Sequence, residues 1–230
     1  MSYTPREAQL EQERLAKRLA VLRGQMPLGQ VKHEGLIGEW QAPTQAEDAA
    51  RFSLTRSMTI TAEIQTTGAI GDIVSKYDWK AGERSYVFGV GGEGDEKSEP
   101  GKLFAWFSSE AATFKGVVAY GSQRVDDGQP HHVVMVFEVG QSVRFFVDGI
   151  EDEAVRIDGP IPKKVAQSAR GLAVGAGFEN SSRATAFRFE GRLANVRLYD
   201  RMISNPSGLD LSKPEVAEYR RLAKRLAKAG

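Results

Sequence analysis

The chain has 230 residues, 31 Lys and Arg against 30 Asp and Glu for a net charge of +1, and no cysteine. A balanced surface offers no global field for gathering phosphates, which argues against a nucleic-acid binder. The missing cysteines exclude disulfide frameworks, thiol nucleophiles and thiolate metal sites.

The opening MSYTPREAQLEQERLAKRLAV is charged throughout, without a secretory h-region or a membrane-spanning run. The expectation is a soluble chain with no membrane insertion, its compartment left open. Residues 1–28 are predicted as an amphipathic helix. Thr4 suits the N-cap, Pro5 the first helical position and Glu7 the capping box, while Gly24 and Pro27 end the run. Leu15, Leu19 and Leu22 share one face.

Residues 29–204 switch from a period of 3.6 to a period of 2, in short apolar alternations separated by Gly, Asp, Asn and Pro clusters. Strands are predicted at FSLT, MTITAEIQ, DIVSKY, SYVFGV, KLFAWF, GVVAY, HHVVMVF, VRFFV, GLAVGA and FRFEGRLANVRLY. Asp148-Gly149 reads as a type I′ hairpin turn. With no helical pattern between the strands, a parallel α/β sheet is excluded in favour of an all-β antiparallel jelly-roll sandwich. Residues 205–230 return to a helix, with Ser212, Pro214 and Glu215 as its cap and Val216, Tyr219, Leu222 and Leu226 as its apolar stripe. RLAKRLA occurs in both terminal segments, at Arg14–Ala20 and Arg221–Ala227. Good helix formers explain the recurrence, and a repeated docking helix is the alternative.

In HHVVMVF the two histidines point to opposite faces, so they cannot chelate one metal together, and His33 is far upstream. The expectation is one ring packed inward, hydrogen-bonded to a loop carbonyl, and one ring outward.

The run DDGQPHHVVMVF followed by VRFFVDG resembles the laminin-G-like, concanavalin A-like lectin and glucanase jelly-roll family. There an Asp-Gly turn, a His-His pair, a strand and a YVDG-type hairpin recur together. MTITAEIQTT, DIVSKYD, SYVFGV, KLFAWF, GLAVGAG and FEGRLANVRLYDRMIS fall in family order, over about Phe52 to Ser204. Pro130 and Glu63 stand where the family has tryptophan, and Ala194 where an acidic residue is common. The resemblance implies a concanavalin A-like sandwich, here flanked by terminal α-helices, and a module that recognises glycan or protein surfaces. It also brings calcium into consideration, because family members often bind it at loop aspartates. Asp72, Asp78, Asp95 and Asp126 are candidates by residue type, none matched to a family ligand. No cofactor is otherwise expected.

GVGGEG at Gly89–Gly94 matches a dinucleotide fingerprint in form, but DEKSEPGK follows it, and its carboxylates and proline oppose phosphate binding. A hairpin loop is the reading. No strand carries the E-x-D-x-E run of jelly-roll glucanases, so no catalytic residue is assigned and glycoside hydrolysis is only the second alternative. Sugar binding needs an aromatic platform with a few fixed polar groups. Tyr77, Asp78 and Trp79 sit together in a polar stretch, and Phe104 and Trp106 share one face of KLFAWF while Leu103, Ala105 and Phe107 share the other. Tyr77, Asp78, Trp79 and Trp106 are therefore the candidate ligand-binding residues of a lectin-like, non-catalytic module. The first alternative is a structural or decoration subunit that docks through its terminal helices into an oligomer or a larger assembly such as a virus particle, with the extracellular surface or a virion as its setting.

Overall fold

The computed structural model describes residues 36–41, 44–91, 97 and 99–203, with single positions 6, 13, 15, 18, 218, 221, 222 and 225. The expected terminal helices, and any docking through them, lie outside the described residues apart from those single positions.

The chain divides into two compact units, one of His33–Val147 with Glu151–Pro206, the other of Met1–Lys32, Asp148–Ile150 and Ser207–Gly230. Thirteen strands are described: β1 (Leu36–Trp40), β2 (Thr44–Ala46), β3 (Met58–Gln65), β4 (Gly71–Asp78), β5 (Glu83–Val90), β6 (Lys102–Ser108), β7 (Gly116–Arg124), β8 (Pro130–Glu138), β9 (Ser142–Val147), β10 (Ile150–Glu151), β11 (Arg156–Asp158), β12 (Leu172–Val174) and β13 (Arg192–Tyr199). They form a six-stranded sheet ordered β1-β13-β3-β8-β9-β10 and a seven-stranded sheet ordered β11-β7-β6-β5-β4-β12-β2. The paired strands run antiparallel, as in β3 against β8 and β5 against β6.

The sandwich follows from the two-residue period. One side of each long strand feeds a shared core that includes Ile60, Ile64, Phe88, Leu103, Ala105, Phe107, Val133, Met135, Phe137 and Phe145. Phe107 of β6 stacks on Phe137 of β8 with centroids 4.0 Å apart, and Phe88 of β5 on Phe145 of β9 at 6.0 Å. Each such ring is worth about 1.5–3 kcal/mol in burial, and the facing pairs fix how the two sheets meet. Asp148 and Gly149 adopt φ of 50° and 79°, the two positive angles a type I′ turn requires.

The structure corrects two predicted strands. FSLT is not a strand: Phe52 plugs the core from a turn, stacked edge-on against Trp40 at 5.6 Å, with Ser53 Oγ donating to Ala49 O. FRFEGRLANVRLY is a strand only from Arg192, because Phe187 at φ 50° and Gly191 at φ 131° turn the chain before it.

Candidate functional site

The seven-stranded sheet has a second apolar face, turned away from the shared core. Val87 of β5 pairs with Trp106 of β6, which pairs with Val118 of β7; Gly89, Phe104 and Tyr120 form the next rung. Tyr77, Val87 and Phe104 cluster there with Trp106 packed against them. An alternating strand buries one side, so Leu103, Ala105 and Phe107 go inward and Phe104 and Trp106 go outward, the division read from KLFAWF.

Trp106 is the hub of this strip. Its ring meets Tyr77 edge-on at 5.5 Å, Phe104 at 5.9 Å and Phe114 at 6.3 Å. Its indole Nε1–H is buried and has no hydrogen-bond partner among the described residues. Phe104 lies across Gly89, where a Cβ would come within 2.7 Å of the phenyl ring. Two aromatics on the flanking loops stay open to solvent, Trp79 at 47% and Phe114 at 36% exposure. Lys80 sits over the Trp79 ring at 5.3 Å and is itself held by Glu179 at 2.6 Å.

The loops carrying Trp79 and Phe114 are tied together by Arg84. Its Nη2 donates to Trp79 O at 2.7 Å and its Nη1 to Ala111 O at 3.2 Å and to Ala112 O. Burial raises the Tyr77 phenol above its ordinary range, and Arg84 pulls it partway back.

Of the predicted ligand-binding residues, Tyr77, Trp79 and Trp106 thus border one strip. Asp78 is fully buried beside it. Its Oδ1 accepts from Ala81 N at 3.1 Å and Asn180 N at 2.9 Å, and its Oδ2 meets Arg170 at 2.9 Å, so it fastens the Trp79 loop to the 178–182 turn. Arg84 and Phe114 escaped the sequence reading. An aromatic in the loop AATFKG was the available signal for Phe114, whereas nothing local marks an arginine whose acceptors lie 27 and 28 residues away.

His131 is buried and its Nε2 lies 3.0 Å from the carboxylate oxygen Oδ1 of Asp127 in the preceding loop. His132 is half-buried on the opposite face, across from Glu63. Among the described residues no three His, Asp or Glu side chains group to hold a metal ion. Asp72 is buried and Asp126 is bound by Arg124 Nε at 3.0 Å. Asp95 lies outside the described residues, as does most of the GVGGEG loop after Gly91.

Taken together, the architecture is a two-sheet antiparallel sandwich of the concanavalin A-like class, its larger sheet presenting an aromatic strip. Residues 40–207 match the family model described as the concanavalin A-like lectin/glucanases superfamily, and the chain belongs to that superfamily. Among solved structures it resembles the Ruminococcus gnavus IT-sialidase CBM40, with TM-score 0.55 and 12% identity over 85% of this chain and 100% of that one. The same module bound to alpha2,6 sialyllactose gives TM-score 0.53 and 13% identity over 74% and 96% of the two chains. Domains LG4-5 of the mouse laminin alpha1 chain give TM-score 0.48 and 14% identity over 77% and 42%. No curated protein matches the chain.

Proposed function

We propose that this chain is a non-catalytic binding module that recognises glycans through the outward strip of its seven-stranded sheet, with Trp106 at the centre, Tyr77 and Phe114 beside it and Trp79 at the rim. The observation that carries the reading is the aromatic strip itself, Trp106 in contact with Tyr77, Phe104 and Phe114 on the outward face, with Trp79 and Phe114 open to solvent. A pyranose offers an apolar face for such rings and hydroxyls for the polar groups of the flanking loops. Asp78 serves as a strut for the Trp79 loop.

The absence of catalysis in this reading is supported by the carboxylates bordering the strip, which are engaged by protein groups: Asp78 as above, Glu83 by Ala169 N at 2.7 Å, and Glu179 by Lys80. Hydrolysis of a glycoside would require two carboxyl groups facing the sugar. Fold likeness at 12–13% identity supports the architecture alone; the choice of a glycan rests on the strip.

The test is a glycan array probed with the wild-type chain, Trp106→Phe and Trp106→Ala. Trp106→Phe keeps a ring but shrinks the platform, and is expected to weaken the best hit by about threefold to tenfold. Trp106→Ala is expected to abolish the hit at unchanged near-UV circular dichroism of the fold's other aromatics. A blank array, or hits indifferent to both substitutions, would defeat the reading and redirect it to a protein surface.

A further inference from the structure

We infer that a cavity at the rim of the sandwich, sharing no residue with the Trp106 strip, binds a small monocarboxylate with an apolar body, and that Arg188 takes the carboxylate. The inference goes beyond the glycan reading and does not rest on it.

The cavity lies between the end of β12, in the seven-stranded sheet, and the start of β13, in the six-stranded one, and has a volume of about 280 Å³. Small residues leave the space: Gly175, Ala176, Ala184 and Gly191 line it and bring no side chain beyond a methyl. Its apolar side is Leu193, buried in the shared core, with Phe189 packed against that core. Hydrogen bonds hold the walls in place before any ligand arrives. Gly177 and Ala186 exchange a pair of them at 2.7 and 3.2 Å, and Phe189 N donates to Gly175 O at 3.0 Å. Gln45 of β2 pins the 182–184 stretch, accepting from Ala184 N at 2.9 Å and donating to Ser182 O at 2.7 Å. A preformed hollow of this size, just under the usual range of small-molecule sites, suits a compact ligand and not an oligosaccharide.

The charge of the lining decides the class of ligand. Arg188 is its ionisable side chain, and no carboxylate lines the cavity with it. Arg188 is exposed, its Nε–H donates to Thr185 O at 3.2 Å, and neither Nη has a hydrogen-bond or ion-pair partner among the described residues. One edge of the guanidinium is thus anchored, and the edge between the two Nη atoms is left for an acceptor. A carboxylate fills that fork with two parallel hydrogen bonds. The surrounding segment is positive as well: residues 183–192 carry Arg183, Arg188 and Arg192 against Glu190. Such a field draws anions and repels cations. A single guanidinium in the lining balances one negative charge, which favours a monocarboxylate over a phosphate dianion, and Phe189 with Leu193 reward an apolar body behind it.

The experiment titrates the full chain with benzoate, cyclohexanecarboxylate and hexanoate, each beside its neutral amide, by calorimetry and ligand-observed NMR. Saturable binding of at least one acid is expected, with its amide at least about tenfold weaker because the charge-assisted pair of hydrogen bonds is lost. Arg188→Gln, at an exposed position, is expected to weaken the acid about tenfold at unchanged circular dichroism. Ala184→Leu, which fills the hollow, is expected to abolish binding, and Trp106→Ala to leave it unchanged. Amides that bind as well as the acids, or binding indifferent to Arg188→Gln, overturn the anionic assignment. Binding that survives Ala184→Leu, or that is lost in Trp106→Ala, places the ligand elsewhere and overturns the site. No saturable binding of any acid up to about 10 mM overturns the whole inference, while the glycan array stands or falls separately through Trp106.

Discussion

Lys76 gives a test of the sandwich's interior that does not depend on any ligand. Its side chain is fully buried at the inner edge of β4, where the ammonium donates to Ser168 O at 2.9 Å and to Arg170 O. Burial pushes its pKa down from 10.5 to about 8, opposed by attraction to Glu83 and Asp48. In the unfolded chain the lysine keeps its ordinary value, so the unfolded state holds the proton more tightly. Stability therefore rises with pH from about 8 towards 10.5; the full contribution is present above the unfolded value and is lost as pH falls through the folded one. A difference of this size corresponds to about 3 kcal/mol over the whole window, and to about 2 kcal/mol between pH 7.5 and 9.5. Lys76→Met removes the titrating group while filling the same space. Urea unfolding of both proteins at half-unit steps across that range isolates the contribution, because other titrating groups cancel in the difference. The wild-type stability, minus that of Lys76→Met, is expected to climb by about 2 kcal/mol. A flat or falling difference would refute the argument and show that the two carbonyls hold the ammonium charged against its burial.

The remaining predictions concern the twin histidines and the packing beneath the strip. His131→Ala strands the Asp127 contact of a buried ring and is expected to lower unfolding stability by about 1–3 kcal/mol. His132→Ala, on the half-buried face, should change it by less than about 0.5 kcal/mol in the same denaturant titration. Gly89→Ala puts a methyl 2.7 Å from the Phe104 ring and 2.6 Å from Gly71 O, so it should destabilise by about 1–3 kcal/mol and shift the Trp106 fluorescence maximum as Phe104 is displaced.

The long strands were legible because a two-residue alternation has one physical meaning when a single face is covered. The alternation in KLFAWF divides Leu103, Ala105 and Phe107 from Phe104 and Trp106, and the sandwich takes the first set into its shared core. The failures mark where that logic has nothing to act on. β1, β2 and β11 lie at or next to sheet edges, and β2 and β11 are too short for a period to repeat. FSLT shows the converse: four residues imitate alternation, yet Ala49 and Ala50 carbonyls close a turn around Ser53 and deliver Phe52 to the core from outside the sheets. Which aromatics share a face of the candidate site could be read from the alternation of KLFAWF. The surroundings of Asp78 could not, because the backbone N–H of Asn180 that it accepts from lies 102 residues on. Chemistry alone does not say whether a carboxylate faces water or protein; only the tertiary path does.

That division of labour bears on how the strip can bind. Trp106 stands on β6, next to the central strand of seven, where hydrogen bonds on both sides hold the backbone. The two loops that frame it are each pinned by a charged side chain with several backbone partners, Arg84 on one flank and Asp78 on the other. A site assembled this way has lost its conformational freedom during folding, so a ligand has little ordering left to impose. Under the proposed function, recognition then falls to the ring faces of Trp106, Phe114 and Trp79, which folding has already set in place.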